Sequence, residues 1–337
     1  MKIAFFETEA DDEVYLKNRL GQEHELFFTK ETLSKATLDL AKECECISVF
    51  IYSSVSEDIL KQLPVLRFIA TRSTGFDHID MIACKKHGIN VTNVPHYGEN
   101  TVAEHTFALI LALSRNVHKS YTRGLKGDFS IEGLIGFDLK DKTLGVIGTG
   151  RIGLHVIRIA KGFGMHVIAH DTSHDIFLSE ILHFNYAPLS EVLSQSDIVT
   201  LHVPYNEHTH HLINENNLSS LKKGSLLINT SRGGVVDNGA IIKALDQHIL
   251  SGAGLDVLEG EESIKEENQC VQSHENCNPA KARQLEQNHD LLSRDNVVFT
   301  PHIGFYSEEA LRRILDTTLH NITSFAQGES ASPVGHP

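Results

Sequence analysis

The stretch Thr143-Leu-Gly-Val-Ile-Gly-Thr-Gly-Arg-Ile-Gly153 decides the fold. Its apolar beginning predicts a buried strand, and the G-x-G-x-x-G that follows leads directly into an apolar helical pattern. In such a unit Gly148 allows a tight turn, Gly150 lets the backbone approach a pyrophosphate, and Gly153 lets the helix pack closely on the sheet. The stretch therefore predicts a strand, turn and helix that bind a dinucleotide.

A carboxylate at the end of the next predicted strand narrows the choice of dinucleotide. Met165-His-Val-Ile-Ala-His-Asp171 ends in an acid 18 residues beyond Gly153. An acid in this place accepts hydrogen bonds from both ribose hydroxyls of the adenosine half and repels a 2′-phosphate. Asp171 therefore favours NAD over NADP, and the alternative of a solvated carboxylate at a strand end stays open.

The rest of the chain repeats the alternation of strand and helix on both sides of this unit. Short apolar segments alternate with helical stretches from Lys2 to Val94, and the pattern resumes from Asp197 to Pro301. Such alternation is typical of parallel α/β sheets, which bind ligands at the carboxyl ends of their strands. A length of 337 residues is enough for two domains.

Three connecting segments interrupt this alternation. Residues 101–114 are apolar nearly all round and predict a helix buried between domains or between subunits. Residues 116–142 read as a polar, glycine-punctuated connection to the fingerprint strand. Residues 261–288 are polar and charged and predict an excursion, part helix and part loop. Its length suggests a lid or a subunit contact, and a solvated insertion is an equal alternative.

Composition argues against several classes of partner. A formal net charge of −14 disfavours nucleic acid and anionic membranes. No apolar run approaches the length of a membrane span. Five cysteines without a C-x-x-C pair are typical of reduced thiols in a cytoplasmic protein. The cluster His208-Thr-His210-His211 has no cysteine or acid at the spacing of a zinc site, so no metal is expected.

Three residues after predicted strands carry the groups that hydride transfer to a 2-oxo acid requires. Arg232 supplies a cation for the carboxylate and the carbonyl, and His302 supplies a proton donor. Glu261 supplies a carboxylate that makes a histidine hold its proton more tightly and keeps its ring in one orientation. Each has a structural alternative when taken alone, but together they indicate one catalytic site.

With these segments in place, the chain resembles the D-isomer-specific 2-hydroxyacid dehydrogenase family, nearer its D-lactate dehydrogenase branch. The resemblance covers nearly the whole chain. It rests on the Arg72 loop, Asn93-Val-Pro95, Val102-Ala-Glu104, the fingerprint, His202-Val-Pro204, Ser231-Arg-Gly233 and Pro301-His302. It implies a Rossmann NAD domain at residues 99–302, inserted into a flavodoxin-like substrate domain formed by residues 1–98 and 303–337. It also implies a homodimer whose domains close on the substrate.

The resemblance further implies roles for individual residues. Arg232 is expected to anchor the substrate, His302 to act as acid and base, and Glu261 to support it. Thr74, Gly75 and Tyr97 are expected on the substrate side. Expected NAD contacts are Gly148, Gly150, Arg151, Ile152, Gly153, Asp171, Val203, Pro204, Thr209, Thr230, Ser231 and Asp256. His170 departs from the tyrosine usual in D-lactate relatives.

The activity implied is the reversible, NAD-dependent reduction of a short 2-oxo acid, foremost pyruvate, to its D-2-hydroxy acid. The formation of 2-hydroxyisocaproate or phenyllactate and the reduction of glyoxylate or hydroxypyruvate stay open, because the sequence does not locate the pocket walls. A further alternative is an NAD-sensing interaction protein similar to the C-terminal-binding corepressors. The resemblance favours the enzyme.

Overall fold

The computed structural model describes residues 1–261 and 279–329. The chain divides into two compact units. The larger unit is Gly98–Tyr306, and the smaller unit combines Met1–Tyr97 with Ser307–Pro337. Residues 330–337 of the smaller unit lie outside the described part. The expected excursion also falls largely on residues 262–278, outside the described part. Residues 279–288 of the expected excursion form the first part of a helix, Pro279–Ser293.

The smaller unit is a five-stranded parallel sheet with the strand order β2-β1-β3-β4-β5. This is the flavodoxin-like order, so the predicted fold class of this part is confirmed. The strands are β1 (Lys2–Phe5), β2 (Glu25–Phe28), β3 (Cys46–Val49), β4 (Phe68–Thr71) and β5 (Asn90–Thr92). The helices are α1 (Ala10–Leu20), α2 (Glu57–Leu60), α3 (Met81–His87) and, from the end of the chain, α12 (Glu308–Ala326), with a 3₁₀ turn at Leu38–Leu40.

Both faces of this sheet are covered by apolar side chains. β1, β3 and β4 are buried along nearly their whole length, as expected for central strands of a parallel sheet. Helix α12 belongs to the layer that covers one face: Phe325 stacks on Phe68 with ring centroids 4.3 Å apart, and Asp316 accepts a hydrogen bond from Tyr15. The last described helix therefore completes the core that the first strands begin.

The larger unit is a seven-stranded parallel sheet with the order β12-β11-β10-β9-β6-β7-β8. Counted from the fingerprint strand, its first six strands have the Rossmann order 3-2-1-4-5-6, again as predicted. The strands are β6 (Thr143–Ile147), β7 (His166–His170), β8 (Asn185–Tyr186), β9 (Ile198–Leu201), β10 (Ser225–Asn229), β11 (Leu250–Leu255) and β12 (Val297–Phe299). The helices are α4 (Glu99–Ser114), α5 (Val117–Leu125), α6 (Arg151–Gly162), α7 (Ile176–Leu182), α8 (Leu189–Gln195), α9 (Glu215–Leu218), α10 (Asn238–Asp246) and α11 (Pro279–Ser293), with a 3₁₀ turn at Gly233–Val235.

The structure shows how two of the connecting segments are built. The buried side of α4, with Phe107 and Ile110, lies in the core of the larger unit, where the helix packs against α6, β10 and β11. This side of the helix is therefore buried within one unit, and the expected contact with a second domain or subunit stays a prediction. The segment 116–142, predicted as a polar connection, contains helix α5 and several large apolar side chains that are exposed.

No helix in the described ranges is both long enough and apolar enough to cross a membrane.

Candidate active site

The glycines of the fingerprint are fixed by the space around them. Gly148 has φ +95°, and a Cβ there would lie 2.4 Å from the carbonyl oxygen of His202. A Cβ on Gly153 would lie 2.0 Å from the carbonyl oxygen of Gly148, so α6 starts in direct contact with the turn. A Cβ on Gly150 would have no atom of the described residues within 4 Å apart from its chain neighbours and the nearby helix backbone. The turn is thus tight on its protein side and open at Gly150, which fits the approach of a diphosphate to the start of a helix.

Asp171 follows β7 and holds the fingerprint turn through its carboxylate. Its carboxylate accepts hydrogen bonds from the amide of Thr149 at 2.6 Å, from the Thr149 hydroxyl at 3.0 Å and from the amide of Ser173 at 3.1 Å. Burial works to raise the pKa of this carboxyl, but these hydrogen bonds outweigh it and the pKa is lowered. Asp171 is therefore ionised at neutral pH, as an acceptor of ribose hydroxyls must be.

His302 and Glu261 form a hydrogen-bonded pair. His302 Nδ1 lies 3.0 Å from Glu261 Oε1, and both side chains are about one-fifth exposed, at 19% and 22%. The other Glu261 oxygen accepts a 3.3 Å hydrogen bond from the amide of Leu258. Because Nδ1 faces a carboxylate, Nδ1 carries the proton of the neutral ring. Nε2 is then the ring nitrogen that can accept a proton and donate it again. The described residues place no hydrogen-bond partner on Nε2.

A buried carboxylate holds the loop that carries His302. Asp256, which is 2% exposed, accepts hydrogen bonds from the amides of Ile303 at 3.0 Å and Gly304 at 2.8 Å and from the Thr300 hydroxyl at 2.5 Å. Its backbone carbonyl accepts the amide of His302, which has φ +57°. Hydrogen bonds of this kind allow a non-glycine residue to keep a left-handed backbone.

His105 of α4 completes this group. Its Nε2 lies 2.9 Å from the Thr300 hydroxyl and 3.3 Å from Asp256 Oδ1. Burial works to raise the pKa of the Asp256 carboxyl, but the hydrogen bonds from His105 and Thr300 lower it overall. Asp256 was expected to contact NAD. The structure shows its side chain engaged within the protein, where it positions the His302 loop.

Arg232 begins the turn after β10. Its Nη1 donates a 2.8 Å hydrogen bond to the carbonyl of Ser231. The following Gly233 is in tight contact with the next loop, because a Cβ there would lie 2.2 Å from the carbonyl of Leu258. The Arg232 turn and the turn that leads to Glu261 are therefore packed backbone against backbone. In this way the larger unit brings the three predicted catalytic residues onto adjoining loops at the carboxyl ends of β10, β11 and β12.

The remaining NAD candidates lie on loops of the same unit. Thr209 donates a 2.6 Å hydrogen bond to the carbonyl of Pro204, which folds the loop after β9. Ser231 donates to the side-chain oxygen of Asn229 from both its amide and its hydroxyl. Other candidates placed at strand or helix ends are Arg151 and Ile152 at the start of α6, Val203 beside Gly148, and Thr230, whose hydroxyl lies 3.0 Å from that of Thr106.

Thr74, Gly75 and Tyr97 belong to the smaller unit. Two hydrogen bonds hold the loop after β4. The Asn93 side chain donates to the Thr74 carbonyl at 2.8 Å, and the Thr74 hydroxyl donates to the Val94 carbonyl. Among the described residues, the amides of Thr74 and Gly75 have no acceptor. Two adjacent free amides suit the binding of a carboxylate. Tyr97 is half-buried, and its carbonyl accepts from Arg313 at 2.7 Å.

Comparison with known proteins decides the family. The profile of the D-isomer specific 2-hydroxyacid dehydrogenase NAD-binding domain matches residues 107–304. The chain belongs to the D-isomer-specific 2-hydroxyacid dehydrogenases. It is 36% identical to a D-lactate dehydrogenase of Escherichia coli over 98% of both chains.

Two solved structures show the same fold. One is a D-lactate dehydrogenase of Aquifex aeolicus complexed with NAD and lactic acid, with a TM-score of 0.88, 37% identity and coverage of 99% of this chain and 100% of that one. The other is a D-2-hydroxyisocaproate dehydrogenase, with a TM-score of 0.82, 31% identity and coverage of 99% of both chains. This dehydrogenase is thus an NAD-dependent enzyme of the D-lactate dehydrogenase branch.

The structure of the dehydrogenase also shows positioning residues that the sequence did not reveal. His105 lies one residue beyond the Val102-Ala-Glu104 motif, and the signal was a histidine within an otherwise apolar helix. Arg72, noted as part of a motif, is buried and donates hydrogen bonds to the carbonyls of Phe6 and Glu7 at 2.6 and 2.7 Å and to the Ser48 hydroxyl at 3.0 Å. Burial lowers the pKa of its guanidinium. It ties the ends of β1, β3 and β4 together beneath the Thr74 loop.

Proposed function

We propose that the enzyme reduces pyruvate to D-lactate and catalyses the reverse reaction. The His302–Glu261 pair is the observation that carries this proposal, because it leaves Nε2 of a half-buried histidine as a proton donor and acceptor beside the Rossmann sheet. NAD supplies the chemistry of hydride transfer at C2 of the acid. His302 then donates its Nε2 proton to the carbonyl oxygen, while Glu261 stabilises the imidazolium that donates it. In the oxidation direction the same nitrogen accepts the hydroxyl proton.

Arg232 is proposed to bind the substrate carboxylate and to polarise the carbonyl. Its turn packs on the loop of Leu258, so the guanidinium is carried by a rigid support. A guanidinium binds a carboxylate through two parallel hydrogen bonds, which also orients the reacting carbon. The amides of Thr74 and Gly75 and the side chain of Tyr97 remain proposed substrate contacts. The twelve residues expected to contact NAD, of which Gly148 is the first and Asp256 the last in the chain, likewise remain proposed contacts.

The choice of pyruvate is supported by the similarity to two D-lactate dehydrogenases, one of them complexed with lactic acid. The similarity to a D-2-hydroxyisocaproate dehydrogenase places a bulkier 2-oxo acid among the competitors. The test measures NADH oxidation against pyruvate, 2-oxoisocaproate, phenylpyruvate, glyoxylate and hydroxypyruvate, with the configuration of each product determined. A kcat/KM highest for pyruvate, with a D product, supports the proposal. A higher kcat/KM for another acid replaces pyruvate by that acid.

Two variants test the assigned roles. His302→Ala removes the proton donor, so kcat should fall by about 10²–10⁴-fold. Arg232→Ala removes the anchor of the carboxylate and should act mainly by raising the KM for pyruvate. His208→Ala is the matched control, because His208 is an exposed histidine of the same unit and should leave both constants unchanged. Near-normal turnover by His302→Ala would refute the assigned proton donor.

We also propose that the enzyme is a homodimer of the cytoplasm. The segment that links α5 to the fingerprint strand exposes large apolar side chains, with Phe129, Ile131 and Ile135 at 86%, 85% and 93%. A contiguous stretch of this kind is typical of a surface that a partner covers. The cytoplasmic location is supported by Cys44, Cys46 and Cys84, which are buried free thiols.

A further inference from the structure

His211 connects three loops of the larger unit. Its amide donates a 2.9 Å hydrogen bond to the carbonyl of Gly234, in the turn that begins at Arg232. Its carbonyl accepts a 2.9 Å hydrogen bond from the side chain of Asn214. Its ring nitrogen Nε2 lies 3.0 Å from each oxygen of the Glu259 carboxylate. The residue keeps a left-handed backbone, with φ +47°, which a non-glycine residue adopts only where its surroundings hold it.

Glu259 stands two residues before Glu261, and side chains from other segments hold the turn between them. Gly260 has φ +71°, so the backbone reverses there in a conformation that glycine allows without cost. The carbonyl of Glu259 is held by the side chains of Asn238 and Asn288, at 3.3 and 3.1 Å. Its carboxylate has His211 as its hydrogen-bond partner among the described residues. The turn is therefore held on one side by two amides and on the other by one histidine.

From these contacts we propose that His211 is a positioning residue of the reductase, which fixes Glu261 against His302 through the Glu259 side chain. The inference rests on the proposed function of the His302–Glu261 pair. The hydrogen bonds of His211 to the Gly234 carbonyl and to the Glu259 carboxylate connect the Arg232 turn to the Glu259 turn, beside the backbone packing of Gly233 on Leu258. Without the ring, the Glu259 carboxylate loses this partner, and the turn keeps its backbone contacts and the amides of Asn238 and Asn288, so Glu261 can shift relative to His302 Nδ1.

The neighbouring residue provides a matched control. His210 stacks on His211 with ring centroids 3.9 Å apart, and its Nδ1 lies 3.2 Å from the Tyr205 hydroxyl. His210 is exposed, and among the described residues it makes no hydrogen bond to the Arg232 turn or the Glu259 turn. Of these two adjacent histidines, His211 alone makes the hydrogen bonds to Gly234 and Glu259 on which the proposal rests.

The test measures kcat, the KM for pyruvate and the dissociation constant of NADH for a small set of variants. His211→Ala should lower kcat by about tenfold, because misplacing a catalytic group by a fraction of an ångström has effects of this order, and should leave NADH binding within threefold of wild type. His211→Gln retains an N–H donor near the position of Nε2 and should recover most of the loss. His210→Ala should stay within twofold of wild type.

Glu259 supplies an independent check of the same contact. Glu259→Ala should reproduce the loss seen in His211→Ala, and the double variant should be no worse than either single variant, because both changes remove one interaction. Multiplicative losses in the double variant would overturn the proposal. So would equal kcat values for His211→Ala and His210→Ala, or a failure of His211→Gln to recover activity.

Two further outcomes distinguish the positioning role of His211 from metal binding and from a failure of the proposed function. His210, His211 and Glu259 have ligand atoms within 4.8 Å of one another, close enough to hold a metal ion. Each protein is therefore assayed with EDTA and with Zn²⁺: a wild-type rate that depends on the metal, together with loss of activity in His210→Ala, would replace the hydrogen-bonded role by metal binding. A wild-type enzyme inactive on every 2-oxo acid would refute the proposed function itself, before any variant is compared.

Discussion

The contact between Gly153 and the fingerprint turn gives a prediction whose size follows from one distance. In Gly153→Ala the new Cβ would lie 2.0 Å from the Gly148 carbonyl oxygen, whereas ordinary contact begins at 3.4 Å, so α6 or the turn must shift by the difference of 1.4 Å. The obstacle is backbone and cannot rotate away. Overpacking of this kind costs about 1–3 kcal/mol, and a severe backbone clash belongs at the upper end. We therefore expect the free energy of unfolding to fall by about 3 kcal/mol.

Two glycines at the ends of α6 are matched controls: Gly150, which precedes the helix, and Gly162, its last residue. Gly150→Ala places its Cβ where no atom of residues 1–261 and 279–329 lies within 4 Å, chain neighbours and nearby helix backbone aside, so stability should change by less than about 1 kcal/mol. NADH binding should nevertheless weaken at least tenfold, because the methyl group stands where the backbone must approach the pyrophosphate. In Gly162→Ala the new Cβ also has no neighbour within 4 Å in the described part of the chain. The variant should bind NADH normally and gain up to about 1 kcal/mol of stability from helix propensity.

The assay combines urea unfolding followed by circular dichroism with a fluorescence titration of NADH. The three variants should separate into one that is unstable, one that is stable but binds NADH weakly, and one that resembles the wild type. If Gly153→Ala is as stable as the wild type, the close packing of α6 on the turn is refuted. If Gly150→Ala binds NADH normally, the diphosphate does not lie against that residue.

Three further predictions concern single side chains. Asp171→Asn removes the charge that repels a 2′-phosphate, so the ratio of kcat/KM for NADPH to that for NADH should rise by about tenfold or more, and an unchanged ratio would contradict the role assigned to this carboxylate. Ile135→Glu should convert the proposed dimer to a monomer, measured as molar mass by light scattering, and a dimer of unchanged mass would exclude this surface as the interface. Asp256→Asn should cost about 1–3 kcal/mol of unfolding free energy at pH 7. Because hydrogen bonds lower the folded-state pKa of this carboxyl, its contribution is complete above the unfolded pKa near 4 and is lost as the pH falls through the lower folded value. The difference from wild type should therefore shrink between pH 7 and pH 3.5 in urea titrations, and a difference independent of pH would argue against an ionised Asp256.

The parts of the fold that the sequence predicted are those that depend on local pattern. The fingerprint predicted β6 and the start of α6 because its glycines, strand and helix are contiguous. Met165–Asp171 and Ser225–Ser231 predicted β7 and β10 because their apolar runs are short and end in polar residues. Strand β8, with only two residues, carries no such pattern and was not predicted.

The parts that were not predicted depend on contacts between distant residues. His105 and Asp256 are far apart in the chain, and their pairing appears only when α4 packs on the sheet. His211 was considered only within a histidine cluster, because its partner Glu259 belongs to another loop. Helix α5 was missed for a different reason: its apolar residues face outward, so the rule that relates apolar pattern to a buried core does not apply.

The position of α12 has a consequence for how the chain folds as it is synthesised. The smaller unit begins with β1 but its core is closed by α12, which stacks Phe325 on Phe68. About 200 residues of the larger unit lie between them, and at ribosomal speeds they take roughly 10–40 s to make. The larger unit can therefore complete its sheet first. Until α12 is synthesised, part of the apolar surface of the N-terminal strands stays exposed. A nascent chain stopped before α12 should thus recruit chaperones through its first hundred residues and not through the Rossmann sheet.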